Sequence, residues 1–279
     1  MNKPTYILLL TVLLLTACSI DDNYYRTPHP WQGVVAITTD WNAHSAEAAV
    51  PDSYCIKIDE TSAPGQQTVN YFPEWQEPGE HFLVAHNEHK NFTVTGNKVR
   101  LDLLPDGSLT PTDEHFFSGT QTITVVQDDT LHVTLPMLQR TRRLQLVLNL
   151  EGDDGSLLAA THATLKGVAQ EMDITTGAIT STEGTDLHPL FVQNGNKLTA
   201  TMNLFGFVSG EAQKFSITFS MTNGQDYTVE NDLTEALRSF SSEKELLSLN
   251  ASLHLEAQGD YRFEIGKWLP GGEFTEDAN

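Results

Sequence analysis

Apolar and polar residues alternate with a period of two along most of this chain. Val35, Ile37 and Thr39 share one parity, as do Tyr54, Ile56 and Ile58, and His81-Phe82-Leu83-Val84-Ala85 follows a Pro78-Gly79 turn signal. Leu144, Leu146, Leu148 and Leu150 are interleaved with Gln145, Val147 and Asn149, and Phe215, Ile217, Phe219 and Met221 with Ser216, Thr218 and Ser220. Leu247, Leu249, Ala251, Leu253 and Leu255 repeat the pattern, and Tyr261, Phe263 and Ile265 close the series. Successive strand side chains point to opposite faces, so such runs bury one face and wet the other. Thr122–Val126 and Leu131–Leu135 flank Gln127-Asp128-Asp129 and predict a hairpin, and Asn223-Gly224 marks a turn after Met221. One helix is predicted: Asp232-Leu233-Thr234-Glu235 has an N-cap aspartate with a glutamate three residues on, opening a short helix to Arg238 or Phe240. The chain is therefore expected to be all-β, built of antiparallel sheets packed as sandwiches.

The strand ending at Leu135 meets Pro136, which has no N–H to give a ladder, and the basic cluster Arg140-Thr141-Arg142-Arg143 follows before a fresh leucine strand. The joint between two tandem β-sandwich domains is placed there, giving bodies over 33–139 and 140–279. Each is of a size that supports its own core. No short-period repeat is visible, which argues against solenoids and propellers.

The N-terminus follows another pattern. Lys3 is followed by the nearly unbroken apolar run Tyr6–Leu15 and then by Leu15-Thr16-Ala17-Cys18. About ten residues at ~1.5 Å each fall short of a ~30 Å hydrocarbon core but suit the apolar region of a cleavable leader. A small residue before a cysteine at that point is the lipobox of bacterial lipoproteins. Residues 1–17 are thus expected to be a signal peptide and Cys18 the lipidation site, its three acyl chains giving a stable anchor. The polar stretch 18–32, with two prolines, reads as the linker leading away from the lipid.

The whole chain has 37 acidic against 16 basic residues, and Lys3 leaves with the leader. That balance excludes nucleic acid as a partner, because phosphate binding needs clustered lysine and arginine. With Cys18 lipidated, Cys55 is the remaining thiol of the two, so no intrachain disulfide can form and the cores must hold the fold. Cys55, inside the strand-like Tyr54–Ile58, reads as a buried, inert thiol.

Residues for chemistry do not converge. His81, His86 and His89 lie within nine positions, but on a strand they do not share one point and read as exposed polar positions. Gly152-Asp153-Asp154-Gly155-Ser156 lacks the alternating oxygen ligands of a calcium loop and reads as a turn. Nucleophile elbows and phosphate loops are absent, so no catalytic, cofactor-binding or metal-ligating residue is assigned and the chain is read as a non-enzyme. Of the four tryptophans, Trp41 and Trp268 lie beside strands as core or rim residues. Trp75, in Phe72-Pro73-Glu74-Trp75, is the better candidate than Trp31 for a sugar-stacking surface.

Several segments in order carry a resemblance: the lipobox Leu15-Thr16-Ala17-Cys18; Thr38-Thr39-Asp40-Trp41; Gly79-Glu80 leading to Leu83-Val84-Ala85-His86-Asn87; Pro136–Leu144; Ala163–Ala169; and Asp232-Leu233-Thr234. Through them the chain resembles the FimB-like fimbrial anchor subunits of Bacteroidia, lipoproteins related to the fimbrillins. The resemblance implies two transthyretin-like β-sandwich domains and a place at the fimbrial base. The lipid would hold the fibre to the outer membrane, and a shaft subunit would join by strand addition. It also implies that Asp21-Asp22 directs the lipoprotein to the outer face of that membrane. The short acidic tail Glu273–Asn279 departs from what a donor strand would need. The alternative is a surface lipoprotein that binds glycans through exposed aromatic residues.

Overall fold

The computed structural model describes residues 30–66, 69–151, 157–240, 244–258 and 260–271. The leader, Cys18, Asp21-Asp22, the Gly152–Ser156 turn and the Glu273–Asn279 tail lie outside them. Among the described residues the regular elements are strands, and none is an α-helix.

The alternating runs form strands whose apolar parity faces inward. Leu144, Leu146 and Leu148 are fully buried in the strand Arg142–Glu151, as are Phe215, Ile217 and Phe219 in Lys214–Met221. Burying a leucine or phenylalanine side chain contributes roughly 1.5–3 kcal/mol, so these six alone outweigh many surface contacts.

Two pairs of sheets form around two apolar clusters. A three-stranded sheet runs in the order Asn70–Tyr71, Val34–Asp40, Thr130–Pro136. It shares a cluster containing Val35, Ile37, Ile56, Leu83, Phe117 and Leu135 with a five-stranded sheet. That sheet is ordered Leu138–Gln139, Phe117–Val125, Gly79–His86, Tyr54–Ile58, Thr61–Gly65. The larger cluster joins Leu144, Leu146 and Leu148 to Leu165, Phe215 and Phe219. One of its sheets contains Lys197–Leu204, Arg142–Glu151 and Leu247–Gln258, and the other Leu158–Val168, Lys214–Met221 and Asp226–Asp232. The hairpin Phe92–Thr95/Lys98–Leu101, extended by Glu171–Asp173, adds Phe92, Val99 and Leu101 to this larger cluster, which thus draws on both sides of Gln139. Most pairings are antiparallel. Val34–Asp40 with Thr130–Pro136 and Arg142–Glu151 with Leu247–Gln258 are parallel.

Two expectations need correction. The strands Phe117–Val125 and Thr130–Pro136 do not pair as a hairpin but belong to different sheets. The incoming chain captures the turn between them: Asp128 N–H donates to the Gln32 carbonyl, and Val34 N–H to that of Asp129. The residues of both strands still bury Ile123, Val125, Val133 and Leu135 in one cluster, which is why alternation alone suggested a pair.

The expected helix is a run of turns. Asp232 does accept from Thr234 N–H at 2.9 Å, but a single Leu237 N–H to Leu233 C=O bond gives way to three-residue turns at Arg238 and Phe240. So short a segment does not offset helix nucleation, and the burial of Leu233, Leu237 and Phe240 sets its path instead.

The basic cluster Arg140-Thr141-Arg142-Arg143 is buried or half-buried along its length. Arg140 donates to Ser118 Oγ and the Ile174 carbonyl, and Arg143 to Asn203 Oδ1 and the Asp113 carbonyl. Arg142, 4 % exposed, donates to the carbonyls of Glu245, Ser239 and Phe240 and lies over the Phe240 ring.

Candidate functional site

Sheet edges are the first surface to consider, because an edge strand presents unpaired N–H and C=O groups. Asp226–Asp232 ends the four-stranded sheet, and its exposed positions include Asp226, Glu230 and Asp232, charges that guard an edge against pairing. Thr130–Pro136 ends the three-stranded sheet and holds no acidic or lysine side chain. Among the described strands, only Val34–Asp40 pairs with it, over seven registered pairs from Val34↔Thr130 to Asp40↔Pro136. Val133 and Leu135 face the core, and exposed His132 and Thr134 alternate with them. Pro136 ends the ladder.

The tryptophans divide as the sequence suggests for three of them. Trp41 packs edge-on to Tyr54 and Phe117 and donates to Thr39 Oγ1 at 2.8 Å. Trp268 is buried against Phe215, its indole donating to Asn231 Oδ1. Trp75 is half exposed, and Trp31, given less weight from sequence, is the more exposed at 78 %.

A cleft of about 800 Å³ lies between the outer face of the five-stranded sheet and the Phe92–Thr95 hairpin. Cys55, Lys57, Val84, His86, His89 and Phe92 are among its lining residues. The strand register sets Cys55 opposite His86 on this face, a juxtaposition that sequence spacing hides. Cys55 is thus half-buried rather than buried, because its parity is opposite to that of the core-facing Tyr54, Ile56 and Ile58. Burial, then Glu88, pushes the thiol up, and burial pulls His86 down. Both shifts favour a neutral thiol beside a neutral imidazole, the reverse of an activated thiolate–imidazolium pair.

The three clustered histidines part company. His86 and His89 line the cleft, whereas His81 turns to Asp59 and is enclosed rather than exposed, its side chain 13 % accessible. Its Nδ1 lies 2.6 Å from Asp59 Oδ2 and its Nε2 2.7 Å from the Glu77 carbonyl. Burial opposes the charge, but the Glu77 carbonyl and Asp59 carboxylate outweigh it and raise the imidazolium's pKa. Among the described residues no three His, Cys, Asp or Glu side chains are placed to hold a metal.

Several solved structures share this architecture. The fimbrial anchor protein Mfa2 from Porphyromonas gingivalis superposes with a TM-score of 0.60 at 12 % identity, covering 87 % of this chain and 98 % of its own. A candidate adhesin from Bacteroides ovatus gives 0.58 at 13 % identity, covering 90 % and 97 %. A candidate polysaccharide-binding protein from Bacteroides thetaiotaomicron gives 0.55 at 7 % identity, covering 85 % and 97 %. These likenesses define the class by fold, an all-β architecture shared with each of them. No curated protein matches by sequence. The sequence profile of the fimbrillin-A associated anchor proteins Mfa1 and Mfa2 matches residues 62–272, and the chain belongs to that family. The resemblance to fimbrial anchor subunits is thereby borne out.

Proposed function

We propose that this chain is a lipid-tethered anchor subunit that holds a fimbria to the outer membrane. The observation that carries the reading is family membership over residues 62–272, joined to the lipobox that ends at Cys18. Acylated Cys18 is the membrane attachment, and Asp21-Asp22 the signal for surface display. Ser19–Gln32 spans at most ~50 Å when fully extended, which sets how far the folded body can lie from the lipid. The uncharged Thr130–Pro136 edge accepts a strand from the neighbouring shaft subunit, main-chain bonds supplying affinity and alternate side-chain pockets specificity.

A second reading, glycan binding, draws on the exposed Trp75 and Trp31 and on the fold shared with the candidate polysaccharide-binding protein. One experiment separates the two. Deleting the gene should release fibres into the medium without stopping shaft-subunit synthesis, and Cys18→Ala should neither incorporate labelled acyl chain nor restore attachment. Firmly attached fimbriae in the deletion strain, with loss of binding to a glycan, would replace the anchor reading with the second.

A further inference from the structure

The three aromatic residues among the exposed large apolar side chains of the described structure all lie on one edge. Trp31 is 78 % exposed, Tyr71 65 % and Trp75 50 %. Strand register explains how they come together. Val35 and Ile37 belong to the core cluster, Ala36 between them is also covered at 1 % exposure, and Val34 is half-buried. Ala36 is the partner of Tyr71, and Gly33 exchanges two 2.9 Å backbone bonds with Gln76, the residue after Trp75. Tyr71 and Trp75, both exposed, therefore border the same Gly33–Ala36 stretch of the first strand. Trp31 precedes Gly33 by two residues at the end of the same strand. Val126, 57 % exposed, adjoins it: a Cβ on Gly33 would lie 2.5 Å from the Val126 carbonyl oxygen. This is also the end at which the chain arrives from Cys18.

We propose that this aromatic edge docks on the lipid surface of the membrane that carries the anchor. The inference rests on lipidation of Cys18. Trp31 lies thirteen positions after that cysteine, at most ~45 Å of extended chain, so the tether keeps the edge at high effective concentration near the bilayer. Tryptophan and tyrosine are the residues that favour the headgroup region, where an apolar ring and a polar N–H or O–H are both satisfied. Exposed Glu74, Glu77, Asp128 and Asp129 rim the patch, so it prefers a zwitterionic to an anionic surface.

The test uses the acylated protein in vesicles of phosphatidylcholine brominated on its acyl chains. Bromine should quench Trp31 and Trp75 while Trp41 and Trp268, packed in the interior, keep their emission. Trp31→Ser with Tyr71→Ser retains Trp75 as reporter and should cut its quenching by at least about twofold, because two of three interfacial anchors are gone. Mixing phosphatidylglycerol into the vesicles should also weaken it. Vesicle-bound protein whose Trp75 is unquenched by bromine yet open to aqueous acrylamide would overturn the docking and assign the edge to a soluble partner such as a glycan. A mass without acyl chains at Cys18 would overturn the tether itself, and the docking with it.

Discussion

Glu171 offers a quantitative test of how the hairpin Phe92–Leu101 is fastened to the chain beyond Gln139. Its side chain is 8 % exposed and accepts 2.6 Å bonds from Lys98 Nζ and Arg100 Nε. Thr180 Oγ1 donates to it at the same distance. The Lys98 ammonium foremost, then the Thr180 hydroxyl and the Arg100 guanidinium, hold the carboxyl at about 2 instead of 4.5, against the opposing cost of burial. At ~1.36 kcal/mol per pH unit that gap sets a ceiling of about 3 kcal/mol. Lys98 and Arg100 are more than half exposed, at 52 % and 61 %, so water and salt screen the pair. A contribution of about 1–2 kcal/mol remains. Because the folded carboxyl is the stronger acid, this stability is fully present above the unfolded value of 4.5 and is lost as pH falls towards 2. Urea denaturation of the wild type and Glu171→Gln should differ by about 1–2 kcal/mol at neutral pH, converging in strong acid. A difference that stays constant from neutral pH to pH 3 would refute the electrostatic reasoning and leave only lost packing.

Other perturbations address the arginine cluster and the close approach of the first two sheets. Arg142→Leu strips three carbonyls, of Ser239, Phe240 and Glu245, of their donor and should cost about 2–4 kcal/mol, measured by thermal or urea unfolding. Gly119→Ala would put a Cβ 2.5 Å from the Pro136 carbonyl oxygen and 3.0 Å from Leu135 Cγ, so it should destabilise by about 1–3 kcal/mol. An unchanged unfolding midpoint in either variant would contradict these contacts.

What the sequence revealed was parity, and what it concealed was partnership. Leu144–Leu150 and Phe215–Met221 showed their buried faces because a strand writes its environment into every second residue. The strand opposite leaves no such mark. Thr122–Val126 and Leu131–Leu135 therefore looked like a hairpin, although Thr130–Pro136 pairs with Val34–Asp40, ninety-six positions away at every pair. The same limit hid Cys55 beside His86 and the ligation of Glu171 by Lys98 and Arg100. The bonding of Arg140, Arg142 and Arg143 was hidden for a different reason. Guanidinium groups that bind carbonyls have the same letters as those that face water, and only the positions of Ser239, Phe240 and Ile174 tell them apart. The proposed membrane attachment, by contrast, rests on linear sequence alone, in Leu15-Thr16-Ala17-Cys18.

The parallel pairing of Val34–Asp40 with Thr130–Pro136 has a consequence for how the body bears tension. A pull on the chain before Val34 enters at the Val34 end of the first strand, and a pull on the chain beyond Gln139 leaves through the Pro136 end of the second. In a parallel pair those ends lie at opposite extremes of the ladder, so the pull tries to slide one strand along the other. All seven registered pairs are then strained together in shear, where an antiparallel hairpin pulled at its open end would unzip one bond at a time. A pull between these two ends thus meets the strand geometry that yields last.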